Sequence, residues 1–175
     1  MAAVKPDPSL LSGLAPLLGD QPRILVLGSF PSPLSREKQE YYGNPKNSFW
    51  RILFACYGED FSDPDAETKR SLIERHHIAI WDVIAECQAK NAADTSIKNQ
   101  SYNLAILDLI TATPSMKKLF FNGNAAYRFF IKGLGEPPLP YSILPSTSPA
   151  YARLSFEQKS EIWKAALQCG EQIEV

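Results

Sequence analysis

A single three-layer α/β/α sandwich with a central four-stranded, mainly parallel sheet is the fold this sequence predicts, on three observations. Four short apolar runs lie along the chain, at residues 23–27 (RILVL), 78–83, 118–121 (KLFF) and 141–144 (YSIL). Segments with apolar residues at helical spacing alternate with them, as expected of a parallel sheet covered on both faces. No repeat or linker divides the 175 residues, a length that suits one domain with a substantial core. The domain is expected over residues 23–170, behind a lead-in at residues 1–22.

The elements follow in order. The lead-in contains prolines and a short helix expected around residues 10–18. Residues 23–27 form a dense aliphatic run closed by Gly28, the pattern of a strand buried on both faces. Pro31 and Pro33 then predict an irregular loop. Phe49, Ile52, Leu53 and Cys56 make a helical stripe that Gly58 stops. Asp63-Pro64-Asp65 opens a helix running to about His76, and residues 78–83 are the second strand. Residues 91–101 are expected as a polar loop and 102–111 as a helix ended by Pro114. The third strand, 118–121, is closed by Asn122-Gly123, and a short helix follows over 124–131. Three prolines and two glycines in residues 133–140 lead into the fourth strand, which runs into Pro145. The last helix carries the strongest start signal: Ser155 with Gln158 three positions on is a capping box.

Composition narrows the class of function. With 45% hydrophobic and 21% charged residues the chain is an ordinary globular one, so disorder throughout is excluded. No apolar run approaches the length of a membrane span, and residues 1–22 lack the order of a secretion signal, so a cytoplasmic protein is expected. Cys56, Cys87 and Cys169 lie 31 and 82 residues apart, a poor disulfide framework and a poor metal site. His76 and His77 are adjacent and point apart on any regular element. No metal, iron–sulfur cluster or organic cofactor is expected, nor a membrane partner. The net charge is −1, yet residues 23–53 and 101–155 each hold five Lys/Arg against two acids. That pattern is compatible with a face that meets phosphates, and equally with an ordinary solvated surface.

In an open α/β sheet, ligands bind beyond the carboxyl ends of the strands. Two loops there have unusual composition. The first runs Gly28-Ser29-Phe30-Pro31-Ser32 and on to Tyr41-Tyr42-Gly43-Asn44-Pro45-Lys46-Asn47-Ser48-Phe49-Trp50. The second is Leu144-Pro145-Ser146-Thr147-Ser148-Pro149-Ala150. Small hydroxyls and amides held by prolines suit a neutral, planar or phosphate-linked ligand. Taken singly, each piece also has a structural reading. Gly28 can serve a tight turn, and the aromatics can be core. Asn47 can cap a helix, and Ser146-Thr147-Ser148 can be a turn.

Together, in this order, the two loops resemble the uracil-DNA glycosylase superfamily, most closely its hypoxanthine-DNA glycosylase branch. The similarity runs from about Arg23 to Leu167 and includes Trp81-Asp82-Val83-Ile84 and Phe121-Asn122-Gly123. The sequence departs from the usual pattern at two points. Phe30 stands where the superfamily ordinarily has an Asp or Asn before the first-motif proline, and Ser146 where the second motif starts with His or Asn. The scattered cysteines exclude the iron–sulfur branches.

The resemblance implies a DNA repair glycosylase acting as a monomer on damaged DNA. Such an enzyme flips out a deaminated base, hypoxanthine by this likeness, and hydrolyses its N-glycosidic bond to leave an abasic site. It implies Asn47 as the catalytic polar group, orienting water or bonding the base. Tyr42, Asn44 and Phe30 would meet the base, with Tyr42 stacked on it. Ser146, Thr147 and Ser148 would bind phosphates, helped by the backbone at Ser29 and Ser32. Tyr151 would wedge into the duplex and Arg153 would contact a phosphate. Alternatives are uracil or mismatched thymine as the substrate, or a noncatalytic nucleic-acid-binding domain of the same fold. A serine hydrolase is disfavoured, since no G-x-S-x-G elbow is present.

Overall fold

A computed structural model describes residues 9–171. The part of the lead-in at residues 1–8 lies outside them. Four strands make the parallel part of the central sheet: β3 (Ile24–Gly28), β4 (Ile78–Asp82), β7 (Lys118–Asn122) and β8 (Tyr141–Leu144). Their order across the sheet is β4-β3-β7-β8, with Ile24 opposite Ile78 and Leu119 opposite Tyr141.

The sheet has five strands, not four, because β2 (Leu17–Leu18) pairs antiparallel along the outer edge of β4. The helix expected around residues 10–18 is not formed. Gly13 and Pro16 interrupt it, and the segment supplies β1 (Leu11–Ser12) and β2 instead. β1 joins a second, antiparallel sheet with β5 (Ile84–Gln88) and β6 (Lys98–Tyr102), in the order β1-β5-β6. Part of the polar loop expected over 91–101 is therefore a strand. Its sequence, KNQSY, shows no apolar alternation because no residue of β6 is fully buried.

Alternation along the strands sorts the core into two layers. Ile24, Val26, Ile78, Ile80 and Phe120 face one side, against α2 (Phe49–Cys56), α3 (Ala66–Arg75) and α6 (Phe156–Glu171). Leu25, Leu27, Ala79, Leu119 and Phe121 face the other, against α4 (Ala105–Ala112) and α5 (Asn124–Leu134). Each large apolar side chain fully buried in these layers contributes roughly 1.5–3 kcal/mol. This is the expected α/β/α sandwich.

Helix starts follow the chemistry of their caps. Asp65 accepts from the Thr68 N–H at 2.8 Å to open α3. Ser155 and Gln158 bond reciprocally at 2.9 and 3.1 Å ahead of α6. The loop expected after Pro31 contains a short helix, α1 (Pro33–Lys38), in which Pro33 takes a first-turn position. Ser32 caps it, its hydroxyl accepting from the Ser35 N–H at 3.2 Å.

Candidate active site

The carboxyl ends of β3, β4, β7 and β8 open into one cavity of about 220 Å³. Both sequence-predicted loops line it. Phe30, Tyr42, Asn44 and Asn47 come from the first, with Ser29 and Ser32, and Ser146, Thr147 and Ser148 from the second. Tyr151 and Arg153 do not line it. Tyr151 lies just beyond, its N–H donating to the Ser148 carbonyl at 3.0 Å and its own carbonyl accepting from Lys159 Nζ at 2.7 Å.

A few bonds hold the two walls together. The backbone N–H of Ser48 and its hydroxyl both donate to the Thr147 carbonyl, at 3.0 and 3.2 Å. Thr147 is 1% exposed and exchanges two bonds with Asn122 at the end of β7. Its N–H donates to Asn122 Oδ1 at 3.0 Å, and Asn122 Nδ2 donates to its hydroxyl at 2.9 Å. Beneath the loop, the fully buried Trp163 of α6 donates its indole N–H to the Pro145 carbonyl at 2.9 Å.

On the first wall, Asn44 Oδ1 accepts from the Lys46 N–H at 3.0 Å, and the Asn47 N–H donates to the Asn44 carbonyl at 2.8 Å. Asn47 is not the cap residue of α2. That position is Ser48, while Asn47 Oδ1 accepts from the Phe49 N–H at 2.9 Å. The tight Asn44–Asn47 turn puts the asparagine one residue further out, at the cavity wall. The aromatics divide between roles: Phe49 and Trp50 are core, buried Tyr41 belongs to the core and also reaches the cavity wall, and half-buried Tyr42 lines the cavity. The Tyr42 ring stacks on Phe49 with centroids 4.0 Å apart, and its backbone holds φ 53°, the left-handed region.

The lining residues not anticipated as site residues include Asp82, Asn122 and Asp94. Asp82 ends β4 at the cavity floor, 4% exposed, and its Oδ2 is buried with no hydrogen-bond partner. Burial first, and the negative charge of Asp94 second, push its carboxyl up to about 7. The Tyr42 hydroxyl is also buried, and burial above all raises its pKa beyond the ordinary phenol value. Gly28 lies between the two. A Cβ there would come within 2.5 Å of Asp82 Oδ1 and 3.0 Å of the Tyr42 hydroxyl, so only glycine leaves this corner open. A polar residue ending an apolar strand was the available signal for Asp82 and Asn122. Asp94 sits in a 3₁₀ turn, Asp94–Ser96, with no such mark.

Among the described residues no group of three His, Cys, Asp or Glu could hold a metal ion. Nor is any helix among them long and apolar enough to cross a membrane.

A cavity lined by polar and aromatic side chains at the carboxyl ends of a parallel α/β sheet is where proteins of this architecture bind their ligands. The sequence model of the Uracil DNA glycosylase superfamily matches residues 15–167, and the chain belongs to that superfamily. It is a DNA glycosylase. It is 34% identical to a hypoxanthine DNA glycosylase of Methanosarcina acetivorans over 158 residues, 89% of this chain and 97% of that one. To a hypoxanthine DNA glycosylase of Methanosarcina barkeri it is 31% identical, with the same coverage. The solution NMR structure of a candidate uracil DNA glycosylase from Methanosarcina acetivorans superposes with a TM-score of 0.74 at 32% identity. That match covers 93% of this chain and 99% of the other.

Proposed function

We propose that the base excised is hypoxanthine, from deoxyinosine in DNA, and that Asn47 is the principal catalytic residue. One observation carries the assignment: Asn47 and Ser146, nearly a hundred residues apart in sequence, line the same cavity. The names of the two curated relatives support the choice of base.

Breaking the N-glycosidic bond builds positive charge on the sugar and negative charge on the departing base. Phe30 occupies the place from which a carboxylate or amide could direct water, and its ring offers only surface. The polar work then falls to Asn47. Its Oδ1 already accepts from the Phe49 N–H, which fixes the amide plane and makes Nδ2 the end that can donate. A donor placed where charge develops stabilises the leaving base, and an amide at this position acts by placement more than by proton transfer.

Tyr42, backed by Phe49, offers its free face to the base, and stacking of this kind is worth about 1–3 kcal/mol. Asn44 would bond the purine edge. Ser146 and Ser148, with the backbone at Ser29 and Ser32, would hold the flanking phosphates, while Thr147, buried and bonded to Asn122, holds the loop that carries them instead of meeting a phosphate itself. Tyr151 and Arg153, outside the cavity, would meet the duplex around it.

Purified protein assayed on duplexes carrying single deoxyinosine, deoxyuridine or mismatched thymine tests the proposal. Abasic sites are expected at deoxyinosine above the others. Cleavage confined to uracil or mismatched thymine would reassign the substrate, and no cleavage under single-turnover conditions would leave a DNA-binding domain.

A further inference from the structure

We propose that the Asp94 carboxylate is a further catalytic group of this cavity, the base that takes the proton of the water attacking the sugar. The inference rests on the glycosylase reading and deepens it. Asn47 serves the departing base, and hydrolysis also needs a group to serve the water.

Asp94 reaches the cavity from the connection between β5 and β6, at the start of the 3₁₀ turn Asp94–Ser96, and Ala92 and Ala93 line the wall with it. Its carboxylate accepts a hydrogen bond from the hydroxyl of Ser29, the residue that follows β3. Its negative charge acts on Asp82 and on the Tyr42 hydroxyl. These three neighbours all line the cavity, so the carboxylate lies on the cavity side of its turn.

Few other groups there can remove a proton. Near neutral pH that work suits a carboxylate or an imidazole. Among the described residues lining the cavity there is no His, Lys or Arg, and the carboxyls are those of Asp82 and Asp94. Burial above all keeps the phenols of Tyr41 and Tyr42 protonated. The remaining side-chain acceptors are amides and hydroxyls, and several are engaged. Asn44 Oδ1 and Asn47 Oδ1 each accept a backbone N–H, and Asn122 and Thr147 bond each other.

The surroundings drive the two carboxyls apart. Asp82, 4% exposed, is pushed up to about 7 by burial and then by the charge of Asp94. Asp94 is exposed at the rim. Neighbouring atoms raise its pKa too, but the Ser29 hydroxyl and the positive charge of Arg128 oppose the rise. Two acids separated in this way divide the work: the inner one keeps its proton and the outer one carries the charge. Depth agrees with that division. The sugar stays joined to the DNA strand at the mouth, where the exposed carboxylate can serve it.

In the step itself, a lone pair of the water oxygen forms the bond to C1′ while the C1′–N9 pair leaves with the base. The water's proton passes to Asp94, and the departed base takes one from solvent. The negative carboxylate also offsets the positive charge that builds on the sugar.

The test is single-turnover excision of deoxyinosine by the wild type, Asp94→Asn and Asp94→Ala, with and without sodium formate. Asp94→Ala should bind the duplex as the wild type does and lose about 100-fold or more in rate. Asp94→Asn keeps an acceptor for the Ser29 hydroxyl but cannot take a proton, and it should lose as much. Formate, a small carboxylate, should raise the Asp94→Ala rate with its concentration and leave the wild type unchanged. An Asp94 that merely holds Ser29 in place predicts the reverse. Asp94→Asn at the wild-type rate, or an Asp94→Ala that formate does not rescue, would each overturn the assignment. A wild type that cleaves none of the lesions overturns the functional reading itself. A cleaving wild type matched by both variants overturns this inference alone.

Discussion

Ser48 and Thr147 are joined by two hydrogen bonds to one carbonyl oxygen, across 99 residues of sequence. This clasp makes a single slot of two separate loops. No strand pairing joins the two loops, so their relative position depends on Thr147 staying where Asn122 holds it.

Thr147→Val should therefore weaken the site and the fold together. The substitution keeps the shape and removes the hydroxyl, stranding the Asn122 amide. A loss of about 1–3 kcal/mol is expected in urea unfolding, with slower excision. Unchanged unfolding would mean that water replaces the lost bond.

Asn47→Ala should abolish most abasic-site formation on a deoxyinosine duplex, by about 100- to 1,000-fold, the scale of losing one positioned donor. Duplex affinity measured by fluorescence anisotropy should barely change. Full cleavage by this variant would remove Asn47 from the mechanism.

Gly28→Ala drives a methyl group into the corner shared by Asp82 and Tyr42. Overpacking of this kind destabilises by about 1–3 kcal/mol, which a core of this size tolerates. The expected protein is folded and inactive on every lesion. Wild-type rates would show that the corner is not where the base lodges.

The Asp82 carboxyl also gives stability a pH dependence. Its folded pKa, about 7, lies above the unfolded value of about 3.9, so the folded state binds the extra proton between them. Its contribution is complete below the lower value and is lost as pH rises through the upper one. Asp82→Asn should accordingly gain on the wild type in thermal unfolding between about pH 4 and pH 7, by roughly 4 kcal/mol for three units. Parallel melting curves at all pH values would show an ordinary, ionised aspartate.

Much of this architecture was legible because burial writes itself into sequence. The aliphatic run of β3, packed on both faces, could scarcely have been anything else, and Ser155 with Gln158 announced α6. β2 and β6 left no such trace. Leu17–Leu18 is too short for a period, and Lys98–Tyr102 is held by backbone pairing with side chains largely in water. The site divides the same way. Loops rich in serine, asparagine and proline stand out at strand ends, whereas Asp82 looks like a routine strand terminus. Its importance arises from Gly28 and Tyr42 closing over it, contacts that no spacing encodes.

Trp163, which steadies the Pro145 carbonyl, belongs to the last helix made among the described residues. Until it has left the ribosome and docked, the serine-rich wall lacks its foundation. A growing chain can carry the asparagine half alone, without a hole able to take a nucleotide. Completion of the slot therefore waits on a side chain near the far end of the described residues.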